Sequence, residues 1–278
     1  MQASRNRSLG VLAALALALC LGTACATSGE PNRPAVDERS RAGRANAPAT
    51  PNERKARSHH SLGINHLQDG RTALAIRELR AAEQLNPRDP WIQLALAEGY
   101  RRKALLEQAE HHLVKGLASN PEFQELRLTL SGLYIQQERY SESLAVSAAL
   151  VDDPTFPVPW TALTNKGFAE MKLGMLSDAR RSLELAVEYH DRYWRAQLNL
   201  GILDAMQERK LEAIERFEQV IALAPGPVGE AEAHYRIAEI HISMGDREGA
   251  LGQLEEAASR RPSGQWGKRS EEYLKRLR

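Results

Sequence analysis

The chain has 278 residues, enough for one or two domains, and its 42% hydrophobic and 26% charged residues indicate a folded protein rather than a disordered or collagen-like one. Its 37 basic and 36 acidic residues leave a net charge of +1, which does not favour a nucleic-acid-binding protein. The two cysteines, Cys20 and Cys25, both lie near the N-terminus, which excludes a disulfide framework and a cysteine-ligated zinc site from the rest of the chain.

The N-terminal segment has the features of a secretion signal. Arg5 and Arg7 precede an uncharged run, rich in leucine and alanine, from Leu9 to Leu21. A helix that spans a bilayer needs about 20 apolar residues. This run is too short for that and predicts a secretory signal peptide instead.

The end of this segment is more specific. The stretch LGTAC, residues 21–25, resembles the bacterial lipobox, in which small residues precede a cysteine that is lipidated and becomes the mature N-terminus. The resemblance implies a signal peptide over residues 1–24 and lipidation of Cys25. Ala26 stands where lipoproteins retained in the inner membrane typically carry aspartate, so the resemblance also implies an outer-membrane, periplasm-facing location. An ordinary cleaved signal with a small-x-small site is the alternative.

Residues 25–55 are predicted to form a lipidated N-terminus and a disordered tether. The stretch contains Pro31, Pro34, Pro48 and Pro51 and almost no large apolar residue. Such a composition cannot bury enough apolar surface to fold. A flexible coil of this length spans about 30 Å, which separates a membrane anchor from a folded body.

A repeat with a period near 34 residues covers residues 56–264. Small residues recur at Gly63, Ala97, Ser131, Gly167, Gly201 and Ala238, and a second small residue follows each by twelve positions, at Ala75, Ala109, Ser143, Ala179, Ala213 and Ala250. Prolines close five of the six units, at Pro87, Pro121, Pro154, Pro225 and Pro262. The pattern resembles the tetratricopeptide repeat, a helix–turn–helix unit of about 34 residues. The resemblance implies an all-α fold, a right-handed superhelical solenoid of six repeats.

Three places depart from this pattern. In the third unit, Ser143 and Ser147 replace residues that are usually apolar, which predicts loose packing of its second helix. Residues 155–159 enlarge the connection between the third and fourth units. No proline closes the fourth unit near Asp191.

The last segment, residues 265–278, is predicted to be a capping helix. Trp266, Tyr273, Leu274 and Leu277 share one helical face in this segment. A solenoid needs such an element to cover its exposed last unit.

The sequence contains no catalytic motif, so neither an enzyme nor a cofactor is expected. The eight histidines do not predict a metal site. His59-His60 and His111-His112 are adjacent in sequence, and adjacent side chains of a helix point in different directions. His234 and His241 occupy positions where these repeats carry core aromatic residues, and we interpret them as structural.

The concave surface of the solenoid is the candidate functional site, because an apolar groove suits an extended or helical peptide from a partner protein. The repeat register places His60, Ile64, Leu67, Trp91, Leu94, Glu98, Arg101, Leu128 and Ile135 in this groove, with Phe168, Met171, Leu198, Ile202 and Tyr235 on or near its later part. The alternative is that these residues pack against the neighbouring unit.

The whole arrangement resembles the type IV pilus pilotin lipoproteins. The resemblance depends on the lipoprotein signal, the polar tether and the six repeats, and on two short stretches, CATSG at residues 25–29 and DDPTFP at residues 152–157 followed by TNKG at residues 164–167. It implies a protein that binds subunits of the pilus secretin and brings them to the outer membrane, where the secretin ring assembles. Two alternatives remain open: a scaffold lipoprotein for cell-wall, outer-membrane protein or polysaccharide-export machinery, and a hydrolase that uses paired carboxylates.

Overall fold

The computed structural model describes residues 50–224 and 226–277, which contain thirteen α-helices and no strand. The helices are α1 Pro51–Gln68, α2 Thr72–Leu85, α3 Pro90–Arg102, α4 Leu106–Ser119, α5 Gln124–Gln136, α6 Tyr140–Val151, α7 Pro159–Lys172, α8 Leu176–Tyr189, α9 Trp194–Met206, α10 Lys210–Leu223, α11 Pro227–Met244, α12 Arg247–Arg260 and α13 Gln265–Leu277. They form six antiparallel pairs, here called units one to six, and a last single helix. The all-α solenoid predicted from the repeats is confirmed. The predicted signal peptide, Cys25 and the tether up to residue 49 lie outside the described residues.

The first helix begins earlier than predicted. The sequence places the end of the tether at residue 55, but α1 starts at Pro51. Thr50 Oγ1 accepts a hydrogen bond from Glu53 N at 3.2 Å, and Glu53 Oε2 accepts one from Thr50 N at 2.8 Å. This reciprocal capping box pairs two backbone donors at the helix start, and proline at the first helical position is favourable. The local capping signal therefore decides the boundary, although the composition is that of a tether.

Within each unit the two helices approach closely at the predicted small residues. A Cβ atom on Gly63 would lie 2.6 Å from Leu79 Cγ, and one on Gly201 would lie 2.7 Å from Phe217 Cε1. Ala75 and Ala213, on the facing helices, are fully buried. Larger side chains at these positions would force the helices apart, which explains why the period of small residues predicts the fold.

A left-handed residue ends the first helix of every unit. The positive φ angles are 74° at Gly70, 58° at Ala104, 59° at Glu138, 80° at Gly174, 59° at Glu208 and 81° at Gly245. Glycine adopts this conformation without a steric cost, yet three units use another residue. The packing of the two helices therefore fixes the left-handed backbone at this position, even where the residue is alanine or glutamate.

The first helices of the units form the inner side of the solenoid. Each of α1, α3, α5, α7, α9 and α11 contacts the next helix in this series, and α11 contacts α13. Within the described residues, no such contact joins the second helix of one unit to the second helix of the next. The solenoid is therefore curved, with the first helices on its concave face.

The connection between units three and four is packed rather than loose. Phe156 is only 6% exposed and fills the space between Leu150 and Ala162. Asp153 Oδ1 accepts hydrogen bonds from the backbone N and the hydroxyl of Thr155, at 2.9 and 2.7 Å. The inserted residues thus add a core side chain and a stabilised turn.

The two serines of unit three do not loosen its second helix, contrary to the sequence-based expectation. Ser143 and Ser147 are fully buried, as are the alanine and leucine at the same positions of unit four. Ser147 Oγ donates to the carbonyl of Ser143 at 2.7 Å, which satisfies one buried hydroxyl inside the helix.

The last helix, α13, covers unit six. Trp266 and Leu274 are buried against Tyr235 and Leu254, and the rings of Tyr235 and Trp266 lie 5.1 Å apart. Between residues 50 and 277, no described helix is long and apolar enough to cross a bilayer.

Candidate partner-binding face

The predicted groove lies along α1, α3 and α5, and four of its apolar residues are partly accessible. Trp91 packs edge-to-face on Phe123, with ring centroids 4.8 Å apart. Leu94 and Leu128 are half-buried and pack against the cores of units two and three. Ile64 is half-buried against the core of unit one, and His60 is half-buried on the same helix.

Two predicted groove residues are core residues instead. Leu67 is 4% exposed and belongs to the cluster that includes Leu79 and Leu96, and Ile135 is 5% exposed. Met171, Leu198 and Tyr235, which were projected onto the later part of the groove, are also buried. Their burial follows from the contact between successive first helices, because side chains between two neighbouring first helices are covered by both.

The charged part of the groove is a three-residue cluster, of which the sequence predicted two. Glu98 accepts hydrogen bonds from Arg101 Nη2 at 2.7 Å and from Arg102 Nε at 2.6 Å. Arg102 Nη1 also donates to the carbonyl of Leu67 in unit one. Arg102 therefore joins two units and leaves the cluster with a net positive charge. Arg102 could have been added to the predicted cluster from the sequence, because it follows Arg101 directly and lies four positions after Glu98.

A polar pair inside the units was not predicted. In four units, residues nineteen positions apart join the two helices. His59 Nδ1 lies 2.9 Å from Glu78 Oε2, His112 Nδ1 lies 2.7 Å from Gln93 Oε1, Arg216 Nη1 donates to Gln197 Oε1 at 3.0 Å, and His234 Nδ1 lies 2.7 Å from Gln253 Oε1. The constant spacing was visible in the sequence, but hydrophobic periodicity does not detect polar pairs.

The junction of units one and two carries a buried titratable group. Lys115 Nζ donates to Glu83 Oε1 at 2.6 Å, and Gln93 Nε2 donates to the same oxygen at 3.0 Å. His112 lies next to this carboxylate and stacks on Tyr100. Burial lowers the pKa of His112 from 6.5 to about 4, although the negative charge of Glu83 acts in the opposite direction. The imidazole is therefore neutral near pH 7.

A buried carboxylate joins units four and five. Asp204 is 2% exposed and accepts hydrogen bonds from Arg180 Nη2, at 2.7 Å, and from Arg209. Burial raises the pKa of Asp204 above its ordinary value, and the Arg180 guanidinium partly offsets that effect. The arrangement is an ion-paired contact between units four and five.

The histidines interpreted as structural have structural contacts. His234 is 8% exposed and bonded to Gln253, and His241 Nδ1 lies 2.8 Å from Asp246 Oδ2 at the end of α11. Within the described part of the chain, no group of three or more histidine, cysteine, aspartate or glutamate side chains is arranged to hold a metal ion.

Comparison with known proteins supports the repeat assignment. Residues 231–263, in unit six, match the sequence model of the tetratricopeptide repeat family. The six units share the geometry of that unit. The chain has the tetratricopeptide-repeat fold. Repeats of this kind are typically protein-interaction scaffolds, in which stacked units present an extended concave binding surface.

The chain is similar to proteins of pilus assembly. It is 26% identical over 175 residues to the type IV pilus assembly protein PilF of Pseudomonas aeruginosa, an alignment that covers 63% of this chain and 65% of the relative's length. The crystal structure of PilW, a widely conserved type IV pilus biogenesis factor, superposes with a TM-score of 0.67 at 19% identity, over 77% of this chain and 97% of PilW. A structure of Pseudomonas aeruginosa PilF gives 0.63 at 17% identity, over 81% and 100%. At sequence identities of 19% and 17%, the structural similarity establishes that this chain shares their fold, and nothing more specific.

Proposed function

We propose that this protein is a pilotin of type IV pilus assembly, an outer-membrane lipoprotein that binds subunits of the pilus secretin and promotes their localisation and assembly into a ring. The observation that carries the proposal is the similarity to the pilus assembly protein PilF over 175 residues, 63% of this chain. The sequence at residues 21–25, which resembles a lipobox, supplies the proposed anchor.

In this proposal the repeats and the anchor have separate roles. The inner face of the early units would take a secretin segment between Trp91, Leu94 and Leu128, with Glu98 and Arg101 beside them. The lipid on Cys25 would then bring the complex to the outer membrane. Two or more acyl chains anchor a protein stably, whereas a single chain binds only marginally.

The anchor is tested by the substitution Cys25→Ser. The expected result is release of the protein from the outer-membrane fraction and loss of heat-stable secretin multimers, with the helical content of the repeats unchanged. A Cys20→Ser variant is the matched control, because that cysteine lies before the proposed cleavage site and should not matter. Normal outer-membrane fractionation and secretin multimers in the Cys25→Ser strain would contradict the proposal.

The binding face is tested by Leu94→Glu, which places a charge on the inner face of unit two. Val114→Glu is the control, because Val114 is 49% exposed on the second helix of the same unit and receives the same charge. Interfaces concentrate their energy in a few central anchors, so Leu94→Glu should abolish co-purification of the secretin and Val114→Glu should not.

Two further measurements keep this test decisive. Circular dichroism identifies a variant that has unfolded, since Leu94 also packs against the unit-two core. Trp91→Ser provides a second substitution on the same face. Folded variants at both positions that still capture the secretin would exclude the early inner face. Co-purification of a cell-wall or polysaccharide-export protein in place of the secretin would support the scaffold alternative.

A further inference from the structure

Exposed apolar side chains are concentrated on one side of the solenoid. Of the ten large apolar side chains that are most exposed among the described residues, seven lie in the turns inside the units, at the end of the helix before the turn or at the start of the helix after it. These seven are Leu74, Leu105, Leu173, Met175, Met206, Leu211 and Met244. The side of the solenoid formed by these six turns is called the turn edge below.

The turns of units four to six lie next to one another. Arg180 Nη2 in unit four donates to Gln207 Oε1 in unit five at 2.7 Å, and Lys210 Nζ in unit five donates to the carbonyl of Ser243 in unit six at 3.3 Å. Packed helices lie about 10 Å apart, so these three turns form a row about 20 Å long. The row carries five of the seven side chains, Leu173, Met175, Met206, Leu211 and Met244, with exposures from 41% to 72%.

The composition of this row suits a membrane surface. Its five apolar side chains are all leucine or methionine, and each lies at or beside one of three neighbouring turns. Flexible leucine and methionine side chains along a line can enter the boundary between lipid headgroups and acyl chains, while the neighbouring charged side chains remain among the headgroups. In the segments 172–178, 206–212 and 244–248, four basic and five acidic side chains accompany the row, so insertion of the apolar side chains, and not attraction to anionic lipid, would carry the contact.

The length of the chain before α1 permits this contact. Between Cys25 and Thr50 lie 24 residues, which reach at most about 80 Å when fully extended. Thr50 caps the start of α1, on the side opposite to the turn edge, and α1 itself is about 27 Å long. An anchor at Cys25 can therefore reach a bilayer on which the turn edge rests.

We propose that the turn edge of units four to six is a membrane-contacting surface, which places Leu173, Met206, Leu211 and Met244 in the headgroup region of a phospholipid bilayer. The proposal rests on the membrane location in the proposed function and adds an orientation to it. The body then lies with its turn edge on the membrane, and the inner face opens sideways, accessible to a partner at the same surface.

The test uses the mature chain with Cys25→Ser, so that neither lipidation nor secretin capture affects the result. This chain has no other cysteine, so Leu211→Cys gives a single site for an environment-sensitive fluorophore. Leu211 is 72% exposed, and its replacement leaves the core intact. The probes are vesicles of phosphatidylethanolamine and phosphatidylglycerol at about three to one. We expect a blue-shifted, brighter emission at residue 211 as lipid is added.

The matched label is Tyr189→Cys, because Tyr189 is 58% exposed at the opposite side of the solenoid, where α8 ends. It should show no shift. Vesicle flotation provides a second measurement: the triple variant Leu173→Ser, Met206→Ser, Leu211→Ser should lose at least about threefold in partitioning. The triple variant Leu62→Ser, Val114→Ser, Tyr189→Ser, which removes equally exposed residues elsewhere, should not.

Three results would overturn the proposal. They are no shift at residue 211 up to millimolar lipid, an equal shift at residue 189, or equal flotation of the two triple variants. Loss of secretin capture by the turn-edge triple variant without any effect of vesicles would assign the edge to a protein partner and would also exclude the membrane. Failure of the secretin proposal leaves the vesicle result unchanged, so the two are separable.

Discussion

The two ends of the solenoid are closed in different ways. At the N-terminal end, Ser58 and Leu62 of α1 occupy the positions at which unit two has Ile92 and Leu96. Ile92 and Leu96 are 1% and 0% exposed because unit one covers them, whereas Leu62 is 43% exposed. Among the described residues, no further helix covers this face of the first unit, which carries Ser58 where unit two has Ile92.

At the C-terminal end an additional helix covers the last unit. Trp266 of α13 is 5% exposed and lies on Tyr235, and the guanidinium groups of Arg236 and Arg269 lie 5.0 Å from its ring. A Cβ on Gly267 would lie 2.1 Å from the carbonyl oxygen of Arg261, so α13 packs directly on the connection before it.

The difference shows two ways in which a repeat protein can reduce the exposed apolar surface of a terminal unit. Each unit contacts only its neighbours, so a terminal unit lacks half of the surface that stabilises an internal one. A polar first helix needs no cover, but unit six keeps an apolar outer face and depends on α13. The two ends should therefore respond differently to equivalent substitutions.

The largest effect is expected at the C-terminal cap. Trp266→Ala removes the side chain that covers unit six and should lower the free energy of unfolding by about 3–5 kcal/mol, as for other large core truncations. Hydrogen exchange should become faster mainly in α11 and α12, because stability is modular. Tyr189→Ala, at an exposed position, is the control. A loss below about 1 kcal/mol would mean that α13 does not cap the solenoid.

The N-terminal end is tested by one substitution at two equivalent positions. Leu96→Ala should cost about 2–5 kcal/mol because Leu96 is fully buried. Leu62→Ala should cost less than about 1 kcal/mol because its side chain is already largely in water. Urea denaturation of both variants provides the measurement. Similar losses would show that some other part of the protein covers the first unit.

Acid should weaken the junction of units one and two. The folded protein keeps His112 neutral down to its pKa of about 4, whereas the unfolded chain takes up a proton below about pH 6.5. The unfolded state therefore binds more protons in this window, and stability falls as the pH decreases from 6.5 to 4, by up to about 3 kcal/mol. His112→Gln should flatten this part of the stability–pH curve relative to the native protein. Parallel curves for the two proteins would contradict the assignment.

The smallest effect is expected in the middle of the solenoid, away from both ends. Ser143 Oγ is buried without a hydrogen-bond partner, so Ser143→Ala should be neutral or stabilise the protein by up to about 1 kcal/mol. Ser147→Ala is the comparison, because it removes the bond to the Ser143 carbonyl. Thermal melts distinguish the two. A clearly destabilising Ser143→Ala would show that this hydroxyl has a role in packing.

Much of the fold was predictable because helix packing imposes a strict volume limit at a few positions. Gly63, Gly167 and Gly201 face Leu79, Leu183 and Phe217 at distances that allow no side chain, so their spacing in sequence reports the helix pairs directly. The last helix could be inferred for a related reason. Trp266 and Leu274 lie on the same apolar face of that helix, and this face avoids water only by packing against unit six.

The candidate site was less predictable. The register assigned Leu94 and Leu128 to the groove, and both are half-buried, but it also assigned the buried Leu67 and Ile135 to the groove. A register gives the direction of a side chain around its own helix, and burial depends on how near the next unit lies. The start of α1 at Pro51 was missed because composition is averaged over many residues, whereas a capping box depends on two.

The sequence by itself determined the number of units, the pairing of their helices and the position of the cap, since each depends on residues that are close in the chain. Only the tertiary structure decided which inner-face side chains remain accessible, which polar groups join neighbouring units, and that the exposed leucine and methionine side chains gather on one edge. These properties depend on the distance in space between neighbouring units, whose equivalent residues are about 34 positions apart in the sequence. That distance is set by the curvature of the whole stack, to which every unit contributes and which no local pattern specifies.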